Sequence, residues 1–176
     1  MKRNLWPLFL CLLIVGCSHI PLSTMLSMST FDEEDFVELD AKDIRAKIIT
    51  NTPRKFVKDS TQLQFKLLTP NHKIDKTLSL DIISDDAISE KSWLGNKIVK
   101  HTTVFKLSGP AIKEFRALQQ SPALHTRSGD NKFHFTISWR FEGGPPEHFT
   151  IQADLMLVPE DGYFTLIDNY QFSQNE

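Results

Sequence analysis

The side chains best suited to chemistry in this sequence are six histidines, two cysteines and a cluster of carboxylates. His19, His72, His101, His125, His134 and His148 are scattered along the chain, and no two have the H-E-x-x-H or H-x-H spacing that turns two imidazoles toward one zinc ion. His134 and His148 flank one turn, so as cross-strand neighbours they could hold a transition metal at the surface; two ordinary solvent-facing strand residues are the plainer expectation. Asp32, Glu33, Glu34, Asp35 and Glu38 lack the Asp-x-Asp-x-Asp-Gly geometry of a calcium loop. Acids at adjacent helical positions fan around the axis instead of converging, so a solvated acidic helix is expected there.

Nucleophilic catalysis finds no support either, because the sequence has no G-x-S-x-G elbow and no S-x-x-K. Gly143-Gly144 is followed by Pro145-Pro146, which removes two backbone N–H donors where a phosphate cradle would need them, and this predicts a stiff turn. Glu142 and Glu147 flank that turn and could approach to acid/base distance, but no aromatic platform for a substrate accompanies them. No catalytic residue, cofactor or metal is therefore expected, and the chain reads as non-enzymatic. Trp93, in "EKSWLGNK", is a large ring on a loop and so a candidate contact residue, although a tryptophan folded over the edge of the core is the commoner case.

One thiol stands apart. Lys2 and Arg3 form a short basic region, and Leu5 to Val15 carry no charge, the pattern of a secretory signal peptide. That apolar span of about eleven residues is too short for a transmembrane helix, which needs ~20, and Pro7 weakens it further. It ends in Ile14-Val15-Gly16-Cys17, which resembles the lipobox of bacterial lipoproteins: an aliphatic residue, a permissive one, a small one and a cysteine. The resemblance implies that the Cys17 thiol takes a diacylglyceryl group, that cleavage precedes Cys17, and that its new amino group is acylated, as with palmitate. Cys11 would leave with residues 1–16, so Cys17 would be the sole thiol and no intramolecular disulfide could form.

Each buried methylene contributes about 0.8 kcal/mol, so two or more acyl chains hold a protein stably on its membrane. Within this family an aspartate after the cysteine favours inner-membrane retention, whereas Ser18 implies the outer membrane, with the domain facing the periplasm or the surface. Loss of Lys2 and Arg3 makes the formal charge of −2 more negative by two, which argues against nucleic acid or an anionic membrane surface as a partner. Residues 17–30, rich in serine and threonine and containing Pro21, read as a tether, although Ile20, Leu22, Met25, Leu26 and Met28 suit docking or a lipid interface better than a free linker. The strings "PLSTM", "FDEEDF" and "LDAKDIRAKI" are also similar to proteobacterial envelope lipoproteins, a resemblance that implies no activity.

The elements carrying these residues follow from periodicity. Residues 31–176 read as a single domain, with 40% hydrophobic and 24% charged residues in the whole chain. Thr30, three residues before Glu33, has capping-box spacing and predicts a short helix from about Asp32 to Leu39, burying Phe36 and Leu39. Period-two alternation then places strands at Ile44–Ile48, Leu63–Leu67, Leu78–Ile82 and Lys97–Leu107. "TPNHKIDK" and "SDDAISEKSWLGNK" read as turns between them. Ser108 or Gly109 and Pro110 start a helix that faces Ala111, Ile112, Phe115 and Leu118 inward, with Pro122 past its end. Phe133, Phe135, Ile137, Trp139 and Phe141 share one face of the next strand. Phe149, Ile151, Ala153, Leu155 and Leu157 share one face of the strand after it, with Gln152 and Asp154 outward. Asp161-Gly162 predicts a hairpin turn into a last strand over Tyr163–Phe172.

These elements give an α+β, strand-dominated fold: about seven mostly antiparallel strands in a sheet or sandwich, arranged as a meander, with one or two short helices. The functional expectation is an envelope lipoprotein anchored through Cys17 that binds an envelope protein or polymer, or has a structural role. The alternative is a carrier or sensor of an apolar ligand held between the sheet and the helix at Ala111–Leu118. A hollow interior above ~300 Å³, lined by Phe133, Phe135 and Phe115, would support the carrier; a filled core with an exposed apolar or edge-strand patch would favour the binding module.

Overall fold

The computed structural model describes residues 31–68, 73–91, 97–124 and 132–173. The leader, Cys17, the tether, His19, His72, His125 and Trp93 lie outside the described residues. The order of elements is α1 (Glu33–Glu38), β1 (Arg45–Thr50), β2 (Gln62–Leu68), β3 (Lys73–Lys91), β4 (Lys97–Leu107), α2 (Gly109–Gln119), β5 (Lys132–Ser138), β6 (His148–Met156) and β7 (Phe164–Ser173). The fold is α+β and strand-dominated. All seven strands belong to one antiparallel sheet, curled into a half-barrel.

The strand order is β5-β2-β3-β4-β1-β6-β7, which is not the simple meander expected from spacing. β2-β3-β4 and β6-β7 are hairpin-connected, but β1 lies between β4 and β6, and β5 lies outside β2. Local turn signals detect hairpins and are blind to these long-range pairings. Two ladders share one run of chain: β1 pairs with β6 from Arg45↔Met156 to Thr50↔Ile151, and β2 pairs with β5 from Gln62↔Ser138 to Leu68↔Lys132. Between them Phe56 bridges Phe141, with Val57 N–H donating to the Arg140 carbonyl at 2.8 Å and Glu142 N–H to the Lys55 carbonyl at 2.9 Å. The two chain runs therefore travel together around the bend of the sheet.

β3 is one strand of 19 residues. It pairs with β2 over Lys73–Ser79 and with β4 over Leu80–Lys91, shifting register between Ile82 and Ser84. The polar stretches read as turns at Lys73–Lys76 and Ser84–Lys91 are thus strand. Asp75, Lys76, Asp85, Asp86, Ala87, Ile88 and Ser89 are exposed, so a paired backbone there does not require an apolar face, and hydrophobic alternation is silent.

The inner face of the sheet carries Ala46 and Ile48, Leu63, Phe65 and Leu67, Leu78 and Leu80, Phe105 and Leu107, and Ile151 and Leu155, all buried. Ala111, Phe115 and Leu118 of α2 cover it, with Ile112 partly buried. α2 begins where expected: Ser108 Oγ accepts from Ala111 N–H at 3.3 Å, and Pro110 occupies the first turn, where its missing donor costs nothing. α1 is shorter than expected and capped differently. Asp32 is the N-cap, its Oδ1 accepting from Glu34 N–H at 2.8 Å and Asp35 N–H at 3.1 Å, while Asp35 Oδ2 accepts from Asp32 N–H at 3.0 Å. This Asp32/Asp35 box replaces the expected Thr30/Glu33 pair, because an aspartate caps as well as a threonine and this phase still buries Phe36 and Leu39.

Phe36 sets how α1 docks. Its ring stacks on Phe65 of β2 at 4.6 Å and lies 4.9 Å from Phe115 of α2. Burying such a side chain contributes about 1.5–3 kcal/mol, and aromatic pairs add about 0.5–1.5 kcal/mol. Gln119 at the end of α2 completes the joint: its Nε2 lies 3.0, 3.0 and 2.8 Å from the carbonyls of Phe36, Val37 and Leu39.

Candidate functional site: an aromatic groove where β5 gives way to β6

Among the described residues, those singled out for chemistry do not converge. His134 stands opposite Lys66 on β2 and His148 opposite Ser173 on β7, so the two are not cross-strand neighbours; β5 and β6 pair with different strands and do not form a hairpin. Asp32 and Asp35 spend their carboxylates on backbone donors of α1. Glu142 and Glu147 are both exposed. Asp154, expected to face outward, does lie on the outer face but is 3% exposed, because Lys47 opposite it on β1 reaches its Oδ2 at 2.9 Å and also stands 4.2 Å above the Tyr163 ring. Gln152 Nε2 donates to the same carboxylate at 3.0 Å.

A small polar cavity of about 210 Å³ lies between residues 53–56 and the β3–β4 pair, with Asp85, His101 and Thr103 in its wall. Thr103 Oγ1 donates to Asp85 at 2.9 Å. Asp85 faces solvent and His101 is half-buried, so the buried, convergent polar set that acid/base chemistry uses is not assembled here.

The larger feature is apolar. A groove of about 500 Å³ opens between the β5–β6 connection and the end of β7, lined by Trp139, Phe141, Pro145, Pro146, Phe149 and Phe172, with Arg140 at its rim. Its base is continuous with the core, since Phe141 stacks on Phe56 at 5.0 Å and meets Phe149 edge-on at 5.3 Å. Trp139 approaches Phe56 edge-on at 6.4 Å. On the far wall Phe172 stands opposite Phe149 in the ladder while remaining 40% exposed.

Two irregularities place these rings. The β6–β7 register shifts twice, between Ile151 and Ala153 and between Ala153 and Asp154, with Asn169 at φ +44°. Because each shift flips the face of the following residues, Phe164, Ile167, Tyr170 and Phe172 all stand opposite the inner-face residues Leu155, Ala153, Ile151 and Phe149. The other wall is the Gly-Gly-Pro-Pro turn. Gly143 and Gly144 have φ of +73° and +84°, which disfavours any other residue, and Arg54 Nη1 donates to their carbonyls at 2.8 and 2.6 Å. The expected stiff turn is thus the groove wall, clamped from the β1–β2 connection.

Between the sheet and α2, where the alternative reading places an apolar ligand, the Phe36 ring packs on Phe65 and Phe115. Sequence reasoning missed the groove: the double proline between Trp139 and Phe149 marks one wall in the sequence, but Phe172 joins it only through the β6–β7 ladder. Comparison with protein families, curated proteins and solved structures finds no match to this chain.

Proposed function

We propose that this chain is a lipid-anchored protein of the bacterial cell envelope, held on the outer membrane by acyl groups on Cys17, whose domain acts without catalysis by binding an envelope protein or polymer. The observation that carries the binding reading is the aromatic groove. Its volume of about 500 Å³ falls in the range of recognition pockets, and its wall is rigid carbon surface with a single cation, Arg140, at the rim. Tryptophan, phenylalanine and proline lose little rotamer entropy when covered, which favours association over chemistry. The packing of Phe36 against Phe65 and Phe115 beneath α2 supports this reading over an internal carrier. The support for the anchor is the leader and the Ile14-Val15-Gly16-Cys17 string.

A photo-reactive amino acid in place of Phe172, compared in intact cells with one in place of exposed Glu160, tests the groove. A discrete adduct from position 172 alone is the expected result; equal labelling, or none, sinks the groove as the binding site. For the anchor, Cys17→Ser is expected to release the protein from membranes and to remove acyl mass from the N-terminal peptide. An unchanged membrane fraction with no lipid found would show the anchor reading to be wrong.

A further inference from the structure

We infer that the second half of β3 is a docking edge that takes an extended, basic segment of a partner protein as an added strand. β3 lies inside the sheet, yet β2 pairs only with Lys73–Ser79, and the Leu80 N–H donating to the Thr61 carbonyl at 2.9 Å is the last bond on that side. The chain before β2 then leaves β3: Val57 N–H donates to the Arg140 carbonyl, and residues 53–56 are separated from the β3–β4 pair by the polar cavity of about 210 Å³. After the shift between Ile82 and Ser84, the ladder with β4 runs unbroken from Ser84↔Val104 to Lys91↔Lys97, without proline or glycine in β3. β1 ends at Thr50, opposite His101, so the tip of this arm has two strands only, an arrangement that is marginal in water without further pairing.

The ladder fixes which backbone groups are on offer. Ser108 N–H donates to the Ser79 carbonyl at 3.0 Å, so the even-numbered residues of β4 bond toward β3. Their partners Ser84, Asp86 and Ile88 are thereby turned to β4, and Asp85, Ala87 and Ser89 present N–H and C=O away from it. These three residues are exposed, and among the described residues no group bonds to that side of them. A regular row of unpaired backbone groups is the template that strand addition uses. Ile82, Ile83 and Ile88, 43, 46 and 53% exposed, add apolar contacts along the same run.

Charge selects the occupant. Residues 81–91 carry Asp81, Asp85, Asp86 and Glu90 against one cation, Lys91. The lysines of β4 stand one strand further back, about 10 Å from an added strand where β3 is about 5 Å away, so the acids of β3 dominate the field it meets. A second copy fits poorly: antiparallel pairing of the run about its own centre sets Asp86 against Asp86, and like charges directly opposite are destabilising. The fitting segment alternates lysine or arginine with β-branched apolar residues. This edge shares no residue with the aromatic groove, so it stands whether or not the groove binds a partner.

Fluorescence anisotropy on the full chain with Cys17→Ser tests this, using a labelled peptide of alternating lysine and valine, about eight residues long to match Ser84–Lys91, and its glutamate–valine counterpart. The lysine peptide is expected to bind saturably and the glutamate peptide not to bind. Ala87→Pro removes one outward N–H and leaves the bonds to β4 in place, the setting in which a strand tolerates proline. Ala87→Pro and Asp86→Lys are each expected to weaken binding at least about ten-fold. N-methylation throughout the peptide backbone, which keeps its charge, removes its donors and leaves the protein untouched, should do the same. Failure of the lysine peptide to bind overturns the inference. So does binding that survives either Ala87→Pro or N-methylation, because the contact would then be one of charge alone. A dimer in sedimentation that Ala87→Pro dissolves overturns it too, since a second copy would be the occupant.

Discussion

Phe149 and Phe172 face each other across the β6–β7 ladder, with rings stacked 4.9 Å apart and 5° from coplanar. One is 6% exposed and belongs to the core; the other is 40% exposed and forms a wall of the groove. Truncating them should therefore separate folding from recognition. Phe149→Ala is expected to cost about 3–5 kcal/mol, as for a buried aromatic. Phe172→Ala should cost about 1 kcal/mol, the worth of the ring pair, yet abolish the position-specific capture proposed for the groove. Urea unfolding of the two variants, read beside cross-linking from position 139, checks this.

Gln119 is expected to hold α1 more firmly than the six residues of that helix could hold themselves. The last carbonyls of any helix have no intrahelical donor, and here one amide group, with two hydrogens, serves those of Phe36, Val37 and Leu39. Gln119→Leu keeps the side-chain volume and removes the donors, leaving half-buried acceptors without them, at a cost of about 1–3 kcal/mol. Gln119→Glu should be at least as damaging, since a carboxylate would face carbonyl oxygens. If either substitution leaves the urea midpoint unchanged, the joint is not energetically important.

How far the sequence foretold the fold depended on whether pattern and pairing coincided. β2, β5 and β6 were legible because they run without a bulge over their apolar stretches or face a single core, so Leu63, Phe65 and Leu67 alternate as they are buried. β7 was legible as a strand after the Asp161-Gly162 turn, but its inner face was not, because its two register shifts space the inner-face residues Phe164, Ile167, Tyr170 and Phe172 by three, three and two. Ser84–Lys91 escaped notice because the arm it forms with β4 extends beyond the core, where nothing selects apolar side chains. The groove was hidden for a different reason. Pro145, Pro146 and Phe172 meet only through a ladder that joins residues far apart in sequence, and no local pattern encodes that meeting. His134 and His148 failed as a pair for the same reason.

Asp40 gives the fold an acid-sensitive contact. Its carboxyl is held below the usual aspartate range, first by the Lys42 N–H at 3.0 Å, which outweighs the opposing push from desolvation, with further help from the Arg116 guanidinium at 3.5 Å. A carboxylate whose folded value is depressed adds stability above its unfolded value, near 3.9, and loses it as pH falls through the lower folded value. Wild type should thus exceed Asp40→Asn in stability at neutral pH by a constant margin that closes below about pH 3.9. The pair is exposed, so added salt should narrow the margin as well. Urea midpoints of both proteins across pH 2.5–7, with and without ~0.5 M salt, would reveal it; a margin that widens in acid contradicts the assignment.

Lys47 and Asp154 present the opposite case, an ion pair removed from water on the outer face of the sheet. They stand directly opposite on β1 and β6, at 2.9 Å, with side-chain exposures of 25% and 5%. Asp154 also accepts from Gln152, and the Lys47 ammonium lies over the Tyr163 ring, so each charge has a second partner. Removing one member strands the other. Asp154→Ala should cost about 3 kcal/mol, the low end for breaking a buried pair, because Lys47 can still turn to water. Lys47→Met should cost as much or more, because Asp154 is the deeper group and is left with the Gln152 amide. Replacing both, with Lys47→Met and Asp154→Leu, removes the charge and its desolvation together and should recover most of the loss, since hydrophobic residues of similar volume often substitute neutrally for a buried pair. The double-mutant cycle then yields a coupling of about 1–3 kcal/mol. Strictly additive costs would mean that the two charges are solvated independently and that the contact does not hold β1 to β6.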